Sequence, residues 1–270
     1  MLDHSYWQKQ GGEPLFPELD WNKPERRDQA GKLLIVGGNV HSLAALAQSF
    51  DLVLKTGVGR VKIALPDKTK KLVGATLTDA VFLPSTNSGE FSKDSLQVLL
   101  GYTQWSDTLL MPGDIGRNSQ TAILIEELLR VSNCRAVITN DTLDLLSNSP
   151  NSLIKRESTT VIASFGQLQK LLKNFGSDTP LTFTMDLSKL VIMLQTLTQI
   201  YPCDIVTFHN NQLCVAVSGK VSTTKIDILD PEDFSWRTKY ASIASCYLTW
   251  YNNKPFEALT HCADLLKKLI

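Results

Sequence analysis

The chain of 270 residues has no excess of charge, with 27 Lys and Arg against 27 Asp and Glu. The cations are scattered, so no basic stripe marks a nucleic-acid face and no acidic block marks a tail. The five cysteines, Cys134, Cys203, Cys214, Cys246 and Cys262, include no C-x-x-C pair. An odd number in a chain of this size does not make a disulfide framework, and reduced core thiols are expected. His261 and Cys262 are neighbours on an expected helix, where adjacent side chains diverge and make a poor metal pair. No apolar run nears the ~20 residues needed to cross a bilayer. The opening "MLDHSYWQKQGGEPLF" lacks the charged-then-apolar pattern of a signal segment. These absences argue against nucleic acid and membrane as partners and lead us to expect a cytoplasmic protein. Three catalytic signatures are also missing: G-x-G-x-x-G, G-x-x-x-x-G-K-[ST] and G-x-S-x-G. His41 and His209 fall near expected loops and could titrate near neutrality, but no nucleophile is placed beside either.

What is present is alternation. Residues 1–30 show no periodicity and contain Pro14, Pro17 and Pro24, so an extended arm is expected, with Trp7, Phe16 and Trp21 as groups to bury on the body or on a neighbouring subunit. From residue 31 to 270 one α/β domain is expected. "KLLIV" is a strand ending in Gly37-Gly38. "SLAALAQSFDLVLKTG" has helical spacing, with Ser42 as N-cap and Gly57 as stop, and "RVKIALP" is a second strand. This β-α-β unit implies a parallel sheet with right-handed crossovers. Further strands and helices alternate to the end, interrupted by one hairpin, "QLCVAVSGKVSTTKIDIL", which turns at Ser218-Gly219-Lys220. The fold class is α/β, a mostly parallel central sheet flanked by helices, with a late antiparallel hairpin.

In such sheets ligands sit beyond the carboxyl ends of the strands. Three loops there stand out. "VGGNVHS" offers Gly37, Gly38 and Asn39 before a helix N-terminus, an arrangement that suits either an anion or a plain turn. "MPGDIGRNSQT" offers Gly113 and Gly116, a cation at Arg117, and Asn118 or Ser119 as cap; it reads as a phosphate cradle or as an ordinary capped loop. In "TNDTLDLL", Asp141 either binds a ligand or N-caps the short helix, and local physics favours the cap.

The order of these segments over residues 28–270 resembles the ADP- or ATP-dependent NAD(P)H-hydrate dehydratases of the ribokinase-like superfamily. "GKLLIVGGNVHSLAALAQSFDLVLKTGVGRVKIALP" is similar to that family's opening strand, Gly-Gly-Ser loop, Ala-rich helix and second strand. "LMPGDIGRNSQT" resembles its Gly-Pro-Gly-Leu-Gly loop, "AVITNDTLDLL" its Asp-Ala-Asp-Ala-Leu-Asn-Leu-Leu segment, and "KPFEALTHCADLL" its closing helix. The resemblance implies a ribokinase-like three-layer sandwich. It implies a lyase that repairs hydrated NAD(P)H by phosphorylating the added hydroxyl and eliminating phosphate. ATP or ADP with Mg2+ would be bound, along with an NAD(P)H-type ligand, in a homo-oligomer. Carried over by residue, the binding positions are Gly37, Gly38, Asn39, Gly113, Gly116, Asn118, Asp141 and Gly166.

The chain departs from the family where the chemistry sits. The family's Gly-Thr-Gly-Asp, an anion hole followed by a general base, matches Trp236-Arg237-Thr238-Lys239 here. Lys239 stands at the expected catalytic Asp. A lysine at its ordinary pKa near ~10.4 cannot accept a proton at neutral pH. Asp230, Glu232 and Asp233 are nearby acids, but no glycine accompanies them. Thr-Pro-His-Pro-Gly-Glu reads Ile162-Ala163-Ser164-Phe165-Gly166-Gln167, and Leu-Lys-Gly reads Thr207-Phe208-His209. The first Asp of the Asp-Ala-Asp segment is Thr139. No catalytic residue and no metal ligand is therefore assigned. The expectation is a divergent, nucleotide- or dinucleotide-binding relative with impaired or altered catalysis, a pseudoenzyme. The alternatives are a non-catalytic interaction or assembly module on the same fold, and a small-molecule kinase with a relocated base.

Overall fold

The computed structural model describes residues 5–73, 77, 79–176, 180–228, 230 and 233–270. In chain order the elements are β1 (Trp7–Gln10), α1 (Glu18–Trp21), β2 (Lys32–Val36), α2 (Ala44–Thr56), β3 (Arg60–Pro66), α3 (Lys70–Val73), β4 (Ala80–Leu83), α4 (Leu96–Trp105), β5 (Thr108–Met111), α5 (Ser119–Val131), β6 (Arg135–Thr139), α6 (Asp141–Leu146), α7 (Asn151–Ile154), β7 (Thr159–Ala163), α8 (Phe165–Phe175), α9 (Leu187–Ile200), β8 (Asp204–His209), β9 (Gln212–Val217), β10 (Lys220–Lys225), α10 (Phe234–Trp250) and α11 (Pro255–Lys267).

The strands form one sheet in the order β1-β10-β9-β8-β7-β6-β5-β2-β3-β4. From β4 to β8 every neighbouring pair is parallel. The late antiparallel feature is wider than the expected hairpin, because β9 runs antiparallel to both β8 and β10. Alternate side chains of each strand point to opposite faces. Leu33 and Ile35 join the core under α2, α10 and α11. Leu34 and Val36 join the core under α4, α5, α8 and α9. The result is three layers, with both faces of the central strands covered, as parallel sheets require.

Residues 5–30 include more secondary structure than an extended arm. β1 pairs in parallel with β10. The Trp7 indole N–H donates to Thr223 Oγ1 (3.0 Å), and Gln10 Nε2 donates to Thr224 Oγ1 and to the Thr260 carbonyl (both 3.1 Å). Phe16 meets Phe256 edge-on. Trp21 does not pack on the body of its own chain, where it is 79% exposed. In the single turn of α1, Leu19 takes the inward position, and a residue two places on points away from it.

Several helix ends follow their local chemistry. Gly57 closes α2 in the left-handed region at φ 105°. Ser164 and Gln167 form a reciprocal capping box at the start of α8. α10 begins earlier than its apolar spacing suggests, because Asp233 accepts from the Ser235 amide and sets the N-terminus there.

One ion pair is buried in the sheet. Arg135 lies 3.5 Å from Asp204, and Thr160 donates to the same carboxyl at 3.0 Å. Burial outweighs both partners and pushes the Asp204 carboxyl up to about 6. A carboxyl raised in the native state stabilises that state fully below its unfolded value near ~3.9, and the contribution is lost as pH rises through the native value. Asp204→Asn removes this dependence. Urea denaturation is therefore expected to show wild type losing stability relative to the variant between pH 4 and pH 7, by on the order of 2 kcal/mol. A constant difference across that range would contradict a raised Asp204.

Candidate functional site

Three of the strand-to-helix loops at the carboxyl edge are bonded to one another. In the loop after β2, the Gly37 position faces the Gly113 carbonyl, which an added Cβ would meet at 2.6 Å. Gly38, at φ 80°, donates to the same carbonyl. Asn39 is buried, accepts from the amides of His41 and Ser42, and donates to the Asp114 carbonyl at 2.7 Å. The Asp114 carboxylate reaches back, accepting from Ser42 Oγ and from the Ala45 amide, both at 2.7 Å. The N-terminus of α2 is thus capped by an acid from the next loop rather than by Ser42. An acidic group at that end also suits the helix dipole.

The loop after β5 is joined in the same way to the loop after β6. Gly113 (φ 124°) and Gly116 (φ 86°) adopt backbone that favours glycine. A Cβ on Gly113 would stand 3.0 Å from Asn140 Cβ and 3.1 Å from Asp141 Oδ1. The Gly116 amide donates to Asp141 Oδ2 at 3.1 Å. Asp141 is therefore no N-cap for α6, because its carboxylate bridges to the neighbouring loop. Its Oδ1 is buried without a hydrogen-bond partner among the described residues. Burial pushes the Asp141 carboxyl above the ordinary range, the charges of Asp114 and Asp144 add to that, and the Gly116 and Ile115 amides oppose it.

Asn140 precedes Asp141 and has φ 54°, ψ −136°, a sparsely populated conformation for a residue with a side chain. Its Nδ2 donates to the Pro112 carbonyl (2.7 Å) and to Thr238 Oγ1 (2.8 Å), and its Oδ1 accepts from Arg237 Nε at 2.8 Å. Its own carbonyl accepts from Gln167 Nε2 at 2.8 Å. Arg237 lies in the first turns of α10 and is 6% exposed. Together with Ser42, Asp114, Asp141, Asp144 and Gln167 it lines a cleft of about 280 Å³ at the carboxyl edge.

Of the residues singled out in the sequence, Gly37, Gly38, Asn39, Gly113, Gly116 and Asp141 come together here. Gly166 is in the first turn of α8, adjacent in the chain to Gln167, and is not among the cleft's described lining residues. Asn118 caps α5 through the Gln120 amide, and its Nδ2 donates to Ser88 Oγ. Lys239 points elsewhere, with its ammonium donating to the Leu269 carbonyl at 2.9 Å. His41 is exposed. His209 is buried, stacked on Phe165, with Nε2 2.7 Å from the Met185 carbonyl. Phe208 packs on Trp236 with ring centroids 6.0 Å apart. Glu232 lies outside the described residues. Sequence reasoning did not single out Asn140 or the cleft-facing placement of Arg237.

No protein-family model matches the chain. It is similar to the bifunctional NAD(P)H-hydrate repair enzyme Nnr of Moorella thermoacetica, at 28% identity over 145 residues. That stretch is 53% of this chain and 27% of the relative, so the match spans about a quarter of the relative's length. Among solved structures, a ribokinase-like superfamily protein of Enterococcus faecalis matches at TM-score 0.75 and 13% identity, covering 100% of this chain and 89% of the other. An ADP/ATP-dependent NAD(P)H-hydrate dehydratase of Bacillus subtilis, co-crystallised with ATP and Mg2+ and soaked with CoA, matches at TM-score 0.62 and 14% identity, covering 96% and 88%. The fold is ribokinase-like, and the sequence relationship is to NAD(P)H-hydrate repair proteins. Among the described residues no helix is long and apolar enough to cross a membrane.

The cap on α2 is directly testable. Asp114→Ala removes both of its carboxylate bonds and is expected to cost about 1–2 kcal/mol in urea denaturation. An unchanged midpoint would mean that this carboxylate does not hold the loops together.

Proposed function

We propose that this chain is a divergent NAD(P)H-hydrate dehydratase-like protein that binds a nucleotide or dinucleotide at the carboxyl edge and has lost the family's proton-transfer step. The observation that carries the reading is Arg237. The resemblance matches Trp236-Arg237-Thr238-Lys239 to a glycine anion hole and a catalytic Asp. In this chain Arg237 and Thr238 are instead bonded to Asn140. A guanidinium at the opening turn of a helix is suited to phosphate, since it adds a fixed charge and a fork of donors to the helix N-terminus. It has no capacity to take a proton from a hydroxyl. Lys239, at the matched base position, is turned to Leu269. Phe208 and Trp236, matched to the family's late Lys and first catalytic glycine, fill that space with packed rings.

Asp114, Asp141 and Asp144 line the same cleft as Arg237, so a phosphate chain would enter best with its charge partly neutralised. Among the described residues no three or more His, Cys, Asp or Glu are grouped to hold a metal. The arrangement fits Mg2+ carried in by the nucleotide, with the unbonded Asp141 oxygen and Asp144 as its protein contacts, rather than a resident ion. Such an ion would offset phosphate charge. The reading does not depend on a particular oligomeric state.

A second reading, a small-molecule kinase with a relocated base, is favoured by Asp141. Its raised carboxyl and unbonded Oδ1 are what a general base in this cleft would have.

Thermal unfolding with ATP, ADP, AMP, NADH and NADPH, each with Mg2+, tests the binding claim. At least one is expected to raise the midpoint by several degrees at saturation, and Arg237→Ala is expected to abolish that rise. If no compound shifts the wild-type midpoint, the nucleotide-binding reading fails. If Arg237→Ala leaves the shift intact, Arg237 is not the anion receptor.

A further inference from the structure

A second cavity, of about 790 Å³, lies between α7, the end of α8 and the outer side of α9. Its origin is the composition of α9. Leu190, Val191, Leu194 and Thr198 face the sheet and are buried. That single stripe would suffice to dock the helix. α9 carries a second apolar stripe, in which Met193, Leu197 and Ile200 line the cavity opposite Phe175. Ile192, on the same rim, is 46% exposed and Ile200 is 65% exposed. Met193 and Leu197 are partly buried and also pack on the core, whereas Ile192 and Ile200 leave apolar surface on this face beyond what the core covers.

The charge of the cavity's described lining is one-sided. Among its described lining residues are Lys155 and Lys189 and no Asp or Glu. Neither lysine forms an ion pair with a described residue. Lys155 lies over the Phe175 ring at 5.7 Å, which sets a cation directly beside the apolar wall. The volume falls within the range of small-molecule sites, roughly 300–1,000 Å³, which are mostly apolar with a few polar groups that fix orientation.

The geometry points to a binding site for a small amphiphile, an apolar chain or ring system ending in an anionic head group. The body lies along Met193, Leu197 and Phe175, and the head group meets Lys155 and Lys189. This site is separate from the carboxyl-edge cleft, shares no lining residue with it, and stands whether or not that cleft binds nucleotide.

Dodecanoate titrated calorimetrically below its micelle concentration tests the assignment, with dodecyltrimethylammonium as the control of equal tail and opposite head. Saturable binding of one dodecanoate per chain is expected, with at least tenfold weaker binding of the cation. Met193→Glu should weaken dodecanoate at least tenfold by charging the wall. The double variant Lys155→Gln, Lys189→Gln should weaken it about tenfold and bring the two amphiphiles closer together in affinity. Urea midpoints of the variants check that the fold is kept. Absence of saturable binding, equal affinity for both head groups, or an unaffected well-folded Met193→Glu would overturn the proposal. Light scattering on Ile200→Asp, at the most exposed position, separates the other occupant. A fall in molecular mass on that substitution would mean that a second copy of the chain covers this face, and would also overturn it.

Discussion

Asn140 holds the carboxyl edge of the sheet together. It follows β6 in a backbone conformation that a side chain disfavours, and its amide then reaches two separate segments: the Pro112 carbonyl in the loop after β5, and Arg237 and Thr238 on α10. Gln167, from the capping box of α8, closes the set by donating to the Asn140 carbonyl. Left-handed backbone of this kind costs of order 1–3 kcal/mol and persists where surroundings over-determine it. Here four hydrogen bonds do so, and the site's geometry follows. Because Asn140 turns out of line, Asp141 points back to Gly116 and α10 is pinned with Arg237 facing the cleft.

The cleft built on that turn has an unusual balance. One carboxylate, Asp114, is occupied as the cap of α2. A second, Asp141, is half-satisfied and resists ionisation. Among the described side chains lining the cleft, the guanidinium of Arg237 is the positive group. Such a set can orient a phosphate-bearing ligand and its counter-ion. What separates it from a phosphoryl-transfer site, on our reading, is the face of α10 that carries each residue. Arg237 looks into the cleft, while Lys239, two residues further along a helix, is turned away toward α11. Backbone hydrogen-bond donors in an anion hole act because nothing stands between them and the developing charge; at the matched position this chain carries Trp236, packed on Phe208.

Much of the sheet could be read from periodicity. The parallel strands from β2 to β8 appear as short apolar runs followed by turn residues, which is how strands buried on both faces look. β1 could not be read this way. "WQKQ" has no apolar run, and it is a strand because β10, more than 200 residues later, offers an edge to pair with. The inward place in the one-turn helix α1 went to Leu19 rather than to Trp21, a register that composition alone does not set. At the site, the glycines were legible because positive φ restricts the choice of residue. Asp141 was not: capping is a local signal, whereas its bond to Gly116 spans two loops. Asn140 gave only a weak local signal: Asn tolerates the positive φ found here better than most residues, but nothing nearby in the sequence says that this position needs it. The pairing of Asn140 with Arg237 and Thr238, nearly a hundred residues apart, is a tertiary contact that no local pattern announces.

The most direct measurement of the central claim is a single-turnover assay, with the protein in excess over hydrated NADH and with saturating ATP or ADP and Mg2+. Recovery of the reduced nicotinamide is followed by its absorbance, against an intact hydrate dehydratase. The account predicts no recovery above the uncatalysed rate with either nucleotide. Recovery at a rate comparable to that of the intact enzyme would contradict it and would require a proton acceptor in this cleft, for which Asp141 would be the first residue to replace.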